Sequence, residues 1–136
     1  MTICGIEMFG SEARLVLLNG DKSTFFHAKT KPKKLKLTND GNPDEVKAFR
    51  DSIFAFFREN NVTLIAIKKR GKKGDFSGGP VGFKLEGIIQ LYDDCPVKLV
   101  AAQTIAAKQK KESPDKPDSL LKYQYVAFET AYSVLQ

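Results

Sequence analysis

The run Val62–Ile67 (VTLIAI) follows directly on a helical pattern and is apolar almost throughout. A strand of that composition needs cover on both faces, as in a parallel sheet flanked by helices. The helix before it is well marked. Asn42 is a good N-cap, Pro43 suits the first helical position, and Glu45 completes a pattern like a capping box. Val46, Phe49, Ile53, Phe56 and Phe57 then recur at helical spacing, which predicts an amphipathic helix over residues 43–59.

Upstream, residues 2–9 (TICGIEMF) and 13–19 (ARLVLLN) are rich in apolar and β-branched side chains, split by Gly10-Ser11-Glu12. Gly20-Asp21 separates the second run from residues 23–28 (STFFHA). Three strands joined by short turns predict an antiparallel meander. A lysine-rich segment with Pro32 and alternating Leu35 and Leu37 leads to the first helix. Beyond Ile67 a glycine-rich loop runs to a helix from about Pro80 to Asp93, followed by a turn at Asp94-Cys95-Pro96. A strand over 97–101, a short helix over 103–110 and a breaker-rich linker over 113–118 come next. Asp118 is placed to cap a last helix, roughly 118–135, with Leu121, Tyr125, Phe128, Tyr132 and Leu135 along one face. The order βββαβαβα with a final helix predicts one α/β domain over 1–136. Its five-stranded mixed sheet would combine the three-stranded meander with two parallel strands, flanked by helices.

Composition narrows the class. A chain of 136 residues, 42% hydrophobic and 28% charged, fits one globular domain and excludes collagen-like, disordered and disulfide-scaffold chains. No uncharged run approaches the roughly 18 residues of a membrane span. The N-terminus has no basic region and carries Glu7 early in its apolar stretch, so no signal peptide is expected. Cys4 and Cys95 stand far apart and read as two reduced thiols of a cytoplasmic protein. There is no CxxC pair, and the single histidine, His27, beside Phe25 and Phe26, reads as a strand residue rather than a ligand or catalyst.

The net charge of +6 matters less than its placement. Thirteen of the 22 basic residues fall in three acid-free tracts. The first is Lys29, Lys31, Lys33, Lys34 and Lys36. The second is Lys68, Lys69, Arg70, Lys72 and Lys73. The third is Lys108, Lys110 and Lys111. The rest of the chain holds all 16 acids and is therefore acidic. Such tracts at element ends read either as solvated faces or as contacts to a polyanion. The loop 68–82 lacks the spacing of a phosphate-binding P-loop. Its glycines and lysines fit contact with a nucleic-acid backbone better.

The opening Ile3-Cys4-Gly5-Ile6-Glu7-Met8-Phe9-Gly10-Ser11 resembles the first strand of the RuvC-type Holliday junction resolvases, with its pattern apolar-Gly-apolar-acid-x-x-Gly-Ser. Ile65-Ala66-Ile67, the basic glycine loop and Gly82-Phe83-Lys84-Leu85-Glu86-Gly87 resemble that family's fourth strand, loop and following helix. Ala127-Phe128-Glu129-Thr130-Ala131 resembles its closing acid-bearing helix. The run Gly78 to Glu86, together with Ala127 to Tyr132, is also similar to an uncharacterised bacterial family of about this length.

The resemblance implies a ribonuclease H-like fold and a partner that is nucleic acid, DNA before RNA. It further implies a homodimer and a nuclease site holding Mg²⁺ or Mn²⁺ between carboxylates. Glu7 takes the first of the family's acidic positions and Glu129 can take the last. The fourth-strand acid is missing, since Lys68 and Lys69 stand there, and lysines cannot ligate a hard cation. A lysine at that strand end would pair with Glu7 instead, giving a degenerate site.

Other readings stay open on the residues. Glu7 is either a metal ligand or a salt-bridge partner, and Glu129 either a ligand or a helix residue at the solvent edge. Asp75 could supply a loop carboxylate or sit in a solvated turn. Lys84 and Glu86 suit packing, dimer contacts or local pairing. Three functions follow. The first is a nucleic-acid-binding domain with a weakened nuclease site, whose contacts come from Lys33, Lys34, Lys68, Lys69, Arg70, Lys72 and Lys73. The second is an active metal-dependent endonuclease on structured DNA. The third is a homodimeric interaction module without nucleic acid.

Overall fold

A computed structural model describes residues 1–70 and 79–136. The long hairpin of β1 (Thr2–Phe9) and β2 (Glu12–Gly20) turns at Gly10-Ser11, where Gly10 takes a positive φ of 59° that costs glycine little. β3 (Phe25–Ala28) pairs with the far half of β2. α1 (Pro43–Glu59) then leads to β5 (Leu64–Lys68), which lies parallel to β1. α2 (Gly79–Gln90) leads to β6 (Val97–Val100), parallel to β5. The strands run in the order β3-β2-β1-β5-β6, a meander continued by two parallel strands, as the element order predicts. α3 (Ala102–Glu112) and α4 (Tyr125–Ser133) close the chain.

Two elements differ from the sequence reading. The sheet has a sixth strand, β4 (Lys34–Lys36), which pairs with Glu12–Arg14 of β2. Nine-residue β2 is long enough to carry β3 on one half and β4 on the other. Leu35 faces the core while its lysine neighbours turn outward, and three residues are too few to show that alternation in the sequence.

The last helix starts at Tyr125, not at Asp118. Ahead of it lies a single 3₁₀ turn over Lys122–Gln124. The buried Gln124 side chain holds this turn, accepting from the Leu121 N–H (3.0 Å) and donating to the Leu15 carbonyl of β2 (3.0 Å). That bond to the sheet fixes the approach of the chain, so Leu121 and Tyr125 point to solvent while Phe128, Tyr132 and Leu135 pack inward.

Strand alternation splits the core in two. Cys4, Ile6 and Met8 of β1, with Ile65 and Ile67 of β5, face α1 and α2, where Phe49, Ile53, Phe56, Phe57, Leu85 and Ile89 cover them. Ile3, Val16, Leu18 and Ala66 face the other way, against Ile105 of α3 and Ala127, Phe128 and Ala131 of α4. Gly5 lies on this second face. A Cβ there would overlap the Ala127 carbonyl oxygen and the Ala131 methyl, so glycine lets α4 lie directly on β1. Among the described residues no helix is long and apolar enough to cross a membrane.

Candidate functional site

Glu7 follows Gly5 on the α4 side of β1, just where the apolar cover ends. The antiparallel register sets it opposite Arg14 of β2, and in turn sets Arg14 opposite Lys34 of β4. On its other side the parallel register pairs Ile6 with Ile67, which brings Lys68 to the same row. One row across four strands therefore reads Lys34, Arg14, Glu7, Lys68. It lies at the carboxyl ends of the parallel strands, where open α/β sheets place their crevices.

The row is only partly solvated. The Arg14 guanidinium stands 3.6 Å from the Glu7 carboxylate, and the two side chains are 17% and 16% exposed. Arg14 also donates from Nε to Glu12 (2.9 Å), which Lys34 approaches at 3.9 Å. Burial pushes the Glu7 carboxyl above its ordinary range, against the pull of Arg14 and Lys68, and the charge of Glu129 adds to the upward shift. Glu129 of α4 therefore shares the neighbourhood of Glu7. Its own ion pair is with Lys116, at 3.6 Å.

Glu129 and Lys68 both act on Glu7 through their charge, while the ion pair of Glu7 is with Arg14 rather than with a lysine of the strand end. Arg14 is the residue that sequence reasoning missed. Its signal was the two-residue turn at Gly10-Ser11, which fixes Phe9 opposite Glu12 and so Glu7 opposite Arg14. Counting Glu12 into the turn hides that register.

Among the described residues the donor set does not complete a site for a hard divalent cation. Such an ion needs several oxygen ligands, and here two carboxylates are interleaved with Arg14 and Lys68. Among the described residues no three His, Cys, Asp or Glu side chains stand together as a metal cluster. Asp75 lies outside the described residues.

The basic tracts part company. Lys34 and Lys36 are exposed on the strand that borders Arg14, and Lys33, just ahead of it, is half-buried. Lys68 is half-buried and Lys69 exposed. Lys72 and Lys73 lie outside the described residues.

Arg70 differs from Lys68 and Lys69 of its tract, since it is 9% exposed and folds back on α2. Its Nη2 donates to the Gly79 carbonyl (3.3 Å), and its guanidinium lies 4.7 Å from the Phe83 ring centre. A Cβ at Gly82 would overlap it. Glu86, also buried, faces Arg70 and Lys69, and burial raises its carboxyl pKa. Lys84 reaches from α2 to the segment ahead of α1, donating to the Asp40 carbonyl at 2.6 Å.

The third tract belongs elsewhere. Lys108 approaches Glu112, which also binds Lys22 at 2.7 Å. Lys22 adjoins the Gly20–Met1 hydrogen bond, at the opposite end of β1 from Glu7. His27 remains a β3 residue, its Nδ1 2.7 Å from the Ser119 hydroxyl.

The fold has known counterparts. T. thermophilus RuvC in complex with a Holliday junction substrate superposes with a TM-score of 0.68, at 10% identity over 98% of this chain and 91% of that one. A second Thermus thermophilus RuvC structure gives 0.66, at 10% identity over 98% and 92% of the two chains. The fowlpox virus resolvase with substrate Holliday junction DNA gives 0.52, at 12% identity over 98% and 91%. The fold is therefore RuvC-like and ribonuclease H-like, as the opening motif implies. No curated protein matches the chain in sequence. A family match covers residues 1–134, and by it the chain belongs to the family described as "Protein of unknown function (DUF3010)".

Proposed function

We propose that this protein binds nucleic acid through a ribonuclease H-like domain whose nuclease site is degenerate. The observation that carries the reading is the Arg14–Glu7–Lys68 row. The first-strand acid is present but held between two cations, one of them at the strand end where the resembled nucleases carry an acid. Those cations compensate the carboxylate, which would otherwise be costly in so buried a place. The exposed lysines of β4 and Lys69 extend the positive rim toward a phosphate backbone. The resolvase complexes contain Holliday junction DNA, which makes branched DNA the first ligand to test.

The test is a salt titration of binding to junction and duplex DNA. Each phosphate contact adds about 0.9 to the slope of log affinity against log salt. Lys34→Glu and Lys69→Glu should each flatten that slope. Affinity indifferent to salt between about 50 and 200 mM would overturn the reading.

A second reading, an endonuclease dependent on Mg²⁺ or Mn²⁺, draws on one observation: Glu129 lies near enough to Glu7 to raise its pKa. Cleavage of labelled junction that needs either ion and is lost in Glu7→Ala would establish it in place of the first.

A further inference from the structure

We propose that the aromatic rings around the Glu7 row form a stacking platform for unpaired bases, so that the preferred ligand is a nucleic acid with a single-stranded stretch. This rests on the nucleic-acid reading above and names its substrate class.

Three rings surround the row, each beside a cation. Phe9 ends β1 with 57% of its surface exposed, and the Arg14 guanidinium carbon lies 3.9 Å from its ring centre. Tyr123, in the 3₁₀ turn, lies between Arg14 (5.6 Å) and Lys34 (5.0 Å). Tyr125, 37% exposed at the start of α4, has the Lys116 ammonium 5.4 Å from its ring centre. Arg14 thus joins Glu7 to two of the rings, and Lys116 joins Glu129 to the third.

The chemistry selects the occupant. An exposed phenylalanine offers an apolar face, and every base has a π-face to lay on it. Arg14 takes one face of Phe9, and the exposure of the side chain leaves the opposite face for a base. The carboxylates nearby, Glu7, Glu12 and Glu129, are balanced by Arg14, Lys34 and Lys116, which leaves the charge of Lys68 and Lys69 for phosphates. A duplex hides its base faces and would use only the cations. An apolar protein partner would meet rings hemmed by charge. Rings interleaved with cations match an unstacked strand, which presents bases and phosphates alternately.

The experiment compares three probes carrying 2-aminopurine at one fixed low salt: a single-stranded oligodeoxynucleotide, its RNA counterpart, and the blunt DNA duplex. The single strands should bind more tightly than the duplex, and the fluorescence of 2-aminopurine should be quenched on binding. The tighter of the DNA and RNA arms assigns the sugar. Phe9→Ala and Tyr125→Ala should each weaken single-strand binding by about 5- to 100-fold. Their salt slope should be unchanged, because no phosphate contact is removed, and Phe9→Trp should restore affinity. Both positions are at the surface, and circular dichroism checks that the variants fold. If the alanine variants bind as the parent does while Lys34→Glu weakens binding, the platform is wrong and the phosphate-binding rim stands. If none of the probes binds the parent protein, both readings fall.

Discussion

The two faces of β1 are built on opposite terms. Toward α1 and α2, Cys4, Ile6 and Met8 meet a wall of Phe49, Ile53, Phe56 and Phe57. Toward α4, the same strand presents Ile3, Gly5 and Glu7 in succession. Apolar cover there shrinks to a glycine against a helix backbone and then gives way to a carboxylate between cations. One face is a core that fixes the sheet. The other is a core only at its amino-terminal half. Close helix approach at Gly5 seats α4 on β1, and the charge of Glu129 on that helix acts on Glu7.

The comparison breaks first on stability. Phe57 is fully buried, with its ring edge-on to Tyr92 at 5.0 Å. Phe57→Ala should cost about 3–5 kcal/mol, because a large ring is removed from a fully buried, apolar place. Urea unfolding measures it. A loss below about 1 kcal/mol would mean that this face collapses freely and is no rigid base for the sheet.

On the other face, Gly5→Ala should cost about 1–3 kcal/mol by overpacking, since the new methyl collides with helix backbone that cannot swing aside as a side chain would. It should also lower nucleic-acid affinity by displacing α4, an effect Phe57→Ala should lack at a temperature where both variants are folded. Equal binding by Gly5→Ala and the parent would separate the position of α4 from the site.

Much of this was legible in the residues for identifiable reasons. The apolar run at 62–67 announced a strand covered on both sides, and Asn42-Pro43 fixed the start of α1, where the Asn42 side chain accepts from the Asp44 N–H at 2.9 Å. Glu7 drew notice because a lone acid in an apolar strand needs a partner. What stayed hidden depended on register and on long-range bonds. Arg14 became the partner through a turn one residue shorter than its composition advertised. Tyr125 opens α4, and residues 118–121 stay non-helical, because Gln124 hydrogen-bonds to Leu15, 109 positions away in sequence. Neither is written in local periodicity. Arg70 lay in a tract of lysines, and only the packing of Gly82 and Phe83 shows that it turns inward.

Next in size is Arg14→Ala. It removes the cation nearest Glu7 and also frees Glu12 from its 2.9 Å bond. For a pair that is neither fully exposed nor fully buried, the cost should be about 1 kcal/mol. The Glu7 carboxyl should titrate higher still, because the counter-charge goes while the burial remains. Carbon-13 detected titration of the glutamate carboxyls reads this directly. An unmoved Glu7 would show that Lys68 alone balances it.

The smallest effect carries the most about how Glu7 is held. Its folded pKa lies above the ordinary carboxyl value of 4.5, with burial the largest cause. Between that ordinary value and the folded one, the folded state binds more protons than the unfolded chain. Stability from this group is therefore present at low pH and declines as pH rises through that window. Glu7→Gln removes the titration. Relative to wild type, the variant should gain stability as pH climbs from about 4.5, by less than about 1 kcal/mol in all, since Arg14 and Lys68 offset much of the burial. Paired urea titrations across that pH range measure the difference. If the variant instead loses stability relative to wild type as pH rises, the two cations outweigh the burial. Glu7 would then be one half of a settled ion pair, and the contrast between the apolar and the charged face of β1 would rest on charge pairing rather than on incomplete cover.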